Sequence, residues 1–260
     1  MNGPLRVIDT GLRAASWNIA MTAAMTELHH AGRIPDTLRF HRYPSAVLLG
    51  RHQPLRAIDR DACRRRGVAI ARRVTGGGAV YMTPEVLAFD LVIDRRAAGG
   101  SQDAAAALVC GALARALTGL APERGLDARF TPPNAVTIGG RKVVGASGCC
   151  EGMTLAHQGA IMVAMDFAAM AEVLALPEAG LRRGLTCLRD ALGAPPDHAW
   201  LMAALTQALA RALSRSVAAA SPAPEELTLT QRLLAEEIGS AAFIAGEEAE
   251  AAALAQAVAS

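Results

Sequence analysis

The sequence of this 260-residue chain predicts an α+β fold, in which a mixed, largely antiparallel sheet is flanked by helices. Three observations support this fold class. Strand-like segments dominate the first two-thirds of the chain, helix-like segments are interspersed among them, and helices dominate the end. Because strands and helices do not alternate regularly, the pattern differs from that of a doubly wound parallel sheet.

The first hundred residues contain most of the strand signals. Apolar residues at helical spacing predict a helix over residues 14–30, which ends near Gly32, and a short helix is expected over 60–66. Apolar runs bounded by turn residues predict strands over 5–9, 37–42, 46–50, 68–73, 79–82 and 86–93.

Strands give way to helices in the rest of the chain. Ser101 or Asp103 caps a helix that extends to about residue 120. Strands are predicted over 128–131, 136–138, 141–146 and 160–165, and helices over 167–176, 200–220 and 224–238. We therefore expect one domain over residues 1–240, an Ala/Glu-rich tail over 241–260, and no C-terminal accessory domain.

Composition excludes several classes of protein. The chain is 52% hydrophobic but only 3% aromatic, so Ala, Leu, Val, Ile and Met must fill its core. A formal net charge of +2 is too small to indicate binding to nucleic acid or to a membrane surface. The five cysteines have neither zinc-site nor disulfide-framework spacing, which favours a reducing compartment and predicts a cytoplasmic protein without a metal site.

The strongest local signal is the segment Arg72-Arg73-Val-Thr-Gly-Gly-Gly-Ala-Val-Tyr81. Three successive glycines cost chain entropy, and they are expected where the backbone approaches a ligand closely. Two arginines before them supply donors for phosphate or carboxylate oxygens. No Gly-Lys-Ser/Thr follows and no helix opens after the glycines, so the segment is neither a Walker A loop nor a Rossmann fingerprint. It predicts a phosphate- or nucleotide-binding turn.

Lys142 is the only lysine among 26 lysine and arginine residues. Lysine is a compact point charge, whereas arginine is a planar fork, so a single lysine in an arginine-rich chain suggests a site that needs an ammonium. Such a group stabilises charge that moves between oxygens in acyl or phosphoryl transfer. Asn134 and His157 are weaker candidates, because turn asparagines and structural histidines are common.

Together these segments resemble the lipoate–protein ligase A family. The resemblance covers residues 5–240, and its motifs lie in the family's order and spacing: Gly50-Arg51-His52-Gln53, Arg72 to Tyr81, Asn134, Gly140 to Ser147, and His157-Gln158-Gly159. It implies a biotin/lipoate ligase-like catalytic domain of the class II synthetase-like type. It also implies that ATP, with Mg²⁺, activates lipoate to lipoyl-AMP, and that the lipoyl group passes to a lysine of an acceptor lipoyl domain.

The resemblance also implies residue roles. Lys142 would bridge the lipoate carboxyl oxygen and the α-phosphate, and Asn134 would contact the nucleotide. The adenylate and lipoyl site would be lined by Arg73, Gly76, Gly77, Gly78, Ala79, Val80 and Tyr81. Substrate binding would also involve Arg51, Arg72, His157 and Gly159.

Some positions depart from the family pattern and leave alternatives open. Met82 and Gln158 stand where the family often has histidines. One alternative is a cysteine-dependent octanoyl or lipoyl transferase without ATP, for which Cys187 and Cys149 are the nucleophile candidates. Another is a non-catalytic homologue that binds lipoyl-adenylate. A separate small accessory protein is a further expected partner, since the chain itself is expected to lack the accessory domain.

Overall fold

The computed structural model of the protein describes residues 3–121 and 125–246, whose strands form two sheets. The larger sheet contains β1 (Leu5–Leu12), β2 (Thr37–Arg42), β6 (Val86–Asp94), β7 (Ala128–Thr131), β8 (Ala135–Ile138), β9 (Arg141–Glu151), β10 (Thr154–Met162) and β11 (Val217–Ala219). The smaller sheet contains β3 (Ala46–Leu49), β4 (Ala69–Arg72) and β5 (Val80–Met82).

The larger sheet is mostly antiparallel. Its strand order is β11-β1-β2-β6-β10-β9-β8-β7, and β1 pairs in parallel with both β11 and β2. The pairs from β2 to β7 are antiparallel. The smaller sheet has the order β4-β3-β5, with one parallel and one antiparallel pair. The predicted mixed, largely antiparallel α+β fold is confirmed.

Helices flank both faces of the larger sheet. They are α1 (Ala15–His30), α2 (Arg60–Arg65), α3 (Gln102–Thr118), α4 (Phe167–Val173), α5 (Glu178–Gly184), α6 (Leu188–Leu192), α7 (His198–Ala212), α8 (Pro224–Leu233) and α9 (Ala241–Ala245). A π-helical turn, Leu234–Ile238, follows α8. No helix within the described ranges is long and apolar enough to span a membrane.

The core divides according to the two faces of the larger sheet. On one face, leucines of α3 and α7 such as Leu113 and Leu205 pack against Phe89 and Leu91 of β6. On the other face, α1 and α8 pack against Val92 of β6. The smaller sheet, α2 and α4 cover the rest of this second face. A crevice is left there between the two sheets.

Several predicted elements were wrong in their extent, among them the helix expected over 167–176, which ends at Val173. The helix expected over 200–220 ends at Ala212, because Ser214 adopts a positive φ of 53° and residues 217–219 then pair with the edge of β1. The alanine-rich segment favours a helix locally, and edge pairing overrides that preference. The strand expected over 160–165 instead begins at Thr154.

The strand predicted over 141–146 also extends further, to Glu151, as β9. The vicinal cysteines therefore lie within β9, where Cys149 pairs with Ala156 and Cys150 pairs with Leu155. The glycines at 145 and 148 lower the strand propensity of this segment, which is why its sequence did not predict an eleven-residue strand.

The beginning of the predicted tail is ordered. Residues 241–245 form α9, and the backbone carbonyls of Phe243, Ile244 and Ala245 accept hydrogen bonds from the Arg72 guanidinium. The remainder of the predicted tail, 247–260, lies outside the described residues.

Candidate active site

A cavity of about 650 Å³ is lined by residues of both sheets. It gathers most of the residues predicted for the site: Arg73, Gly76, Gly77, Gly78, Ala79, Val80, Tyr81, Asn134, Lys142 and Gly159. Their positions along the chain span 87 residues, so only the sheet pairing brings them together. Their roles in binding remain predictions.

One face of the larger sheet forms the floor of this cavity. Side chains two residues apart on a strand face the same side, so the strand register defines rows across the floor. A small-residue row consists of Ala88, Ala160 and Gly145, which are direct partners across β6, β10 and β9. It leaves space above the backbone.

A second row lies beside the first, two residues further along each strand. This polar row consists of Arg39, Asp90, Gln158 and Ser147, which pair across β2, β6, β10 and β9.

The glycine turn, Thr75 to Gly78, forms part of the opposite wall. Arg73 organises it, because Nη2 donates to the carbonyls of Gly76 (2.9 Å) and Gly78 (3.0 Å) while Nη1 donates to Leu48 O (2.8 Å). Gly77 has a φ of +97°, a conformation that favours glycine. Arg73 therefore fixes the conformation of the turn by donating to the carbonyl oxygens of the turn. The backbone of the turn lines the cavity.

Gly50 packs directly against this turn. A Cβ at position 50 would lie 1.9 Å from the carbonyl oxygen of Gly77, which no side chain can tolerate. The backbone N–H of Arg51 also donates to Thr75 O at 3.0 Å. Glycine is thus required at position 50 to let the 50–53 loop support the glycine turn.

Lys142 lies on β9 at the edge of the cavity. Its side chain extends over Gly145, where an added Cβ would lie 2.9 Å from Lys142 Cε and 3.1 Å from Nζ. The Lys142 carbonyl accepts a hydrogen bond from the backbone N–H of Thr186 at 2.9 Å, and this bond holds the strand in place. The absence of a side chain at Gly145 therefore gives the ammonium its path along the floor.

Asn134 and an apolar wall complete the cavity. The Asn134 carbonyl accepts from Ala146 N at 2.9 Å, which places this residue beside the floor strand β9. Apolar side chains line another part of the wall, among them Met162, Met165, Met170, Leu174 and Leu181. The cavity thus combines a cationic, glycine-rich region with an apolar region.

No pattern in the sequence predicted the polar row. Arg39 and Asp90 are both fully buried, and their Nε and Oδ2 atoms are 3.3 Å apart. Thr22 donates to Asp90 Oδ2 at 2.9 Å and Gln158 Nε2 donates to Oδ1 at 2.9 Å. Arg39 Nε also donates to His41 Nδ1 at 3.3 Å. Polar residues alternate along β2, which normally indicates a solvent-exposed face, whereas here both faces of the strand are covered.

Burial and neighbouring charges shift the pKa values of His41 and Tyr43, which lie beside the polar row. Burial, reinforced by the Arg39 cation, holds the pKa of His41 well below its usual value, so the imidazole is neutral at pH 7. Because Nδ1 accepts from Arg39, the proton resides on Nε2, which is 3.1 Å from the Tyr43 hydroxyl. Burial, together with the Asp90 charge, raises the pKa of Tyr43.

Three predicted substrate-binding residues do not line the cavity. Arg72 is buried and donates to the carbonyls of the 50–53 loop and of α9, so its guanidinium holds these two segments together. The Arg51 guanidinium instead lies 5.6 Å from the ring centroid of Phe243. His157 points away from the cavity, is 2% exposed, and has its pKa lowered to about 4 by burial. Strand alternation separates His157 from its neighbour Gln158, which faces the cavity.

No cysteine of the described residues lines the cavity. Cys187 and Cys110 are fully buried, and burial raises the pKa of both thiols. Burial also raises the pKa of Cys149, while Cys150 is exposed on the far part of β9. Cys187 nevertheless lies close to the lysine in the fold, since it directly follows Thr186, whose backbone N–H donates to the Lys142 carbonyl.

Comparison with known proteins shows that one protein family shares both this fold and the segments that form the cavity. The family model of the lipoyl protein ligase A/B catalytic domain matches residues 14–210 of the chain. The chain belongs to this family. The match includes β2 to β10, the glycine turn, Asn134 and Lys142, so the predicted family resemblance is confirmed.

Related sequences of the lipoyl protein ligase A/B family have two kinds of name. Octanoyltransferase LipM of Kyrpidia tusciae is 28% identical over 93% of this chain and 97% of its own length. Octanoyltransferase LipM of Symbiobacterium thermophilum is 30% identical over 80% of this chain and 86% of its own length. Lipoate-protein ligase A subunit 1 of Thermoplasma acidophilum is 31% identical over 56% of this chain and 57% of its own length.

Solved structures confirm the fold of this family member. A lipoate-protein ligase A bound with ATP superposes with a TM-score of 0.81 at 23% identity, over 95% of this chain and 99% of the other. A T. acidophilum protein with bound lipoic acid gives a TM-score of 0.77 at 22% identity, over 95% of this chain and 100% of the other. At these identities the similarity supports the shared ligase-like fold.

Proposed function

We propose that the chain is a lipoate–protein ligase that activates lipoate with ATP to lipoyl-AMP and transfers the lipoyl group to a lysine of an acceptor lipoyl domain. One observation carries this proposal. The cavity brings Lys142, Asn134 and the Arg73-organised glycine turn together, and no cysteine thiol lines it within the described residues. An adenylating ligase needs a cationic site for phosphate and acyl oxygens, whereas a cysteine transferase needs a thiolate.

The proposed roles follow from the positions of the groups. The Lys142 ammonium contacts the lipoate carboxyl oxygen and the α-phosphate, and it stabilises first the charge on phosphorus and then the tetrahedral acyl centre. Backbone N–H groups of the glycine turn and the Asn134 amide hold the phosphate side. The apolar wall accommodates the acyl chain. Mg²⁺ enters with ATP as part of the nucleotide substrate.

The acceptor and the compartment are part of the same proposal. A structural neighbour from T. acidophilum is described as a bi-partite lipoate protein ligase with its E2 lipoyl domain. By analogy, we propose that an acceptor lipoyl domain docks at the cavity and that a separate small accessory protein assists. The five free cysteines fit a reducing, cytoplasmic setting.

The proposal is tested by incubating the protein with lipoate and MgATP, with and without an acceptor lipoyl domain. We expect pyrophosphate and lipoyl-AMP in the first reaction and lipoylated domain in the second. Candidate accessory proteins are added in a parallel series. If no adenylate forms in any combination, the proposal is rejected, and tight binding of lipoyl-AMP without turnover would identify a non-catalytic adenylate-binding protein instead.

A second candidate function is ATP-independent octanoyl or lipoyl transfer through a cysteine. The LipM names of the relatives favour it, as does the position of Cys187 next to Thr186, whose N–H binds the Lys142 carbonyl. Transfer from an acylated carrier without ATP, lost in Cys187→Ala or Cys149→Ala and unaffected by Cys63→Ala, would support this candidate. Unchanged transfer in all cysteine variants would reject it.

Gly145→Ala should lower turnover while the fold is retained. The new Cβ would meet the flexible end of Lys142, which can move aside, so the ammonium is displaced and the strand is kept. Because a misplacement of about 1 Å can reduce the rate about 100-fold, we expect a 10- to 100-fold fall in kcat for adenylate formation. The matched control is Gly111→Ala on α3, which faces only Arg115 and should retain the wild-type rate.

A further inference from the structure

The polar row connects the floor of the cavity to the glycine turn. Thr75, the first residue of the turn, is 2% exposed, and its hydroxyl donates to Gln158 Oε1 at 3.1 Å. Ser147 of the same row contributes a weaker hydroxyl contact to Thr75 Oγ1 at 3.4 Å. Two side chains of the larger sheet therefore meet one side chain of the turn.

Asp90 determines which way the Gln158 amide points. A carboxylate accepts hydrogen bonds and donates none, so the NH₂ group of Gln158 must face Asp90 Oδ1, which lies 2.9 Å away. The amide oxygen then faces the opposite direction, toward Thr75. Arg39 neutralises the Asp90 charge, which makes a buried carboxylate tolerable at this point.

Thr75 links the oriented Gln158 amide to the backbone of the turn. Its carbonyl accepts from Arg51 N at 3.0 Å, which joins it to the 50–53 loop, and the glycines that follow are held by Arg73. Three successive glycines have wide backbone freedom, so external hydrogen bonds must select one conformation.

We infer that Asp90 and Gln158 are positioning residues, which act through Thr75 to hold the glycine turn in the conformation that binds substrate. This inference deepens the proposed function and depends on it for the identity of the substrate. Neither residue needs to touch the reacting atoms. Gln158, which departs from the histidine of the family pattern, thus has a role in this chain as an oriented hydrogen-bond acceptor.

The test compares Thr75→Val, which removes the hydroxyl and keeps the shape, with Thr75→Ser, which keeps the hydroxyl. The first readout is the hydrogen-exchange rate of the Arg51 amide, whose acceptor is Thr75 O. We expect about five- to tenfold faster exchange in Thr75→Val and in Gln158→Leu, and a rate within threefold of wild type in Thr75→Ser. The matched control is Thr228→Val on α8, whose exposed hydroxyl donates to Pro224 O.

The second readout is kinetic. The KM for lipoate should rise by a similar factor while kcat changes less than about twofold, because the turn positions substrate and Lys142 performs the chemistry. The KM of the double variant, Thr75→Val with Gln158→Leu, should be no higher than that of the more severe single variant, since both changes remove the same hydrogen bond between Thr75 and Gln158. Folded Thr75→Val and Gln158→Leu proteins with wild-type exchange would overturn the inference. A wild-type protein that forms no adenylate would reject the proposed function, and the exchange rates would still decide this inference.

Discussion

Lys142→Ala is expected to abolish adenylate formation, with kcat falling at least 100- to 1,000-fold, while the melting temperature stays close to that of the wild type. The ammonium is the group that we propose to meet the developing charge on the α-phosphate, and removal of one such donor from a preorganised site has effects of this size. The fold should survive because Lys142 is only partly buried and its backbone bond to Thr186 does not need the side chain. The measurement is pyrophosphate release with lipoate and MgATP.

Lys142→Arg should fail nearly as badly as the alanine variant. The guanidinium keeps the positive charge, but its planar fork is bulkier than an ammonium and cannot present a single point charge where the end of the lysine side chain lies, beside Gly145. The control is Arg141→Ala, which removes an exposed cation from the neighbouring position of the same strand. If Lys142→Arg retains wild-type turnover, the role of a point charge is disproved.

Asp90→Leu is expected to lower the free energy of unfolding by about 3–5 kcal/mol, because it leaves the fully buried Arg39 cation without its carboxylate. The guanidinium already has one nitrogen, Nη1, without a hydrogen-bond partner among the described residues. Among the described residues it would keep its hydrogen bonds to His41 and Asn18. The measurement is urea-induced unfolding of the purified protein.

The double variant separates charge burial from packing. Arg39→Met combined with Asp90→Leu should be more stable than Asp90→Leu alone, because no uncompensated charge then remains in the core. The control is Arg96→Met, which breaks the exposed pair with Asp94 and should leave stability unchanged within error. Equal stability of the two Asp90 variants would show that the ion pair does not account for the effect.

Much of the fold was predictable because its signals are local. Helix α1 and strand β6 were predicted within one or two residues, since each has a continuous pattern between clear turn residues. Strand β11 and the full length of the β9–β10 hairpin were not predictable, and only residues 141–146 and 160–165 of this region were expected as strands. Their sequences are rich in alanine and glycine, and only pairing with a neighbouring strand makes them extended.

The candidate site divides in the same way. The glycine turn, Lys142 and Asn134 were apparent from the sequence, and the structure places all three at one cavity. Which of two adjacent residues reaches the cavity was not apparent from the sequence. Arg72 and Arg73 are neighbours with the same chemistry, but Arg72 holds α9 and Arg73 holds the glycine turn. His157 and Gln158 face opposite sides of β10, so only the second reaches the cavity.

The sequence by itself determined the fold class, the family, the rare lysine and the position of the glycine turn, because composition, glycine placement and apolar periodicity are properties of short segments. The tertiary structure alone decided that Arg39, Asp90, Gln158 and Thr75 form one connected group. These residues are separated by 15 to 119 positions in the chain. They meet because strand register sets which side chains are neighbours, and register is fixed by the packing of the whole sheet.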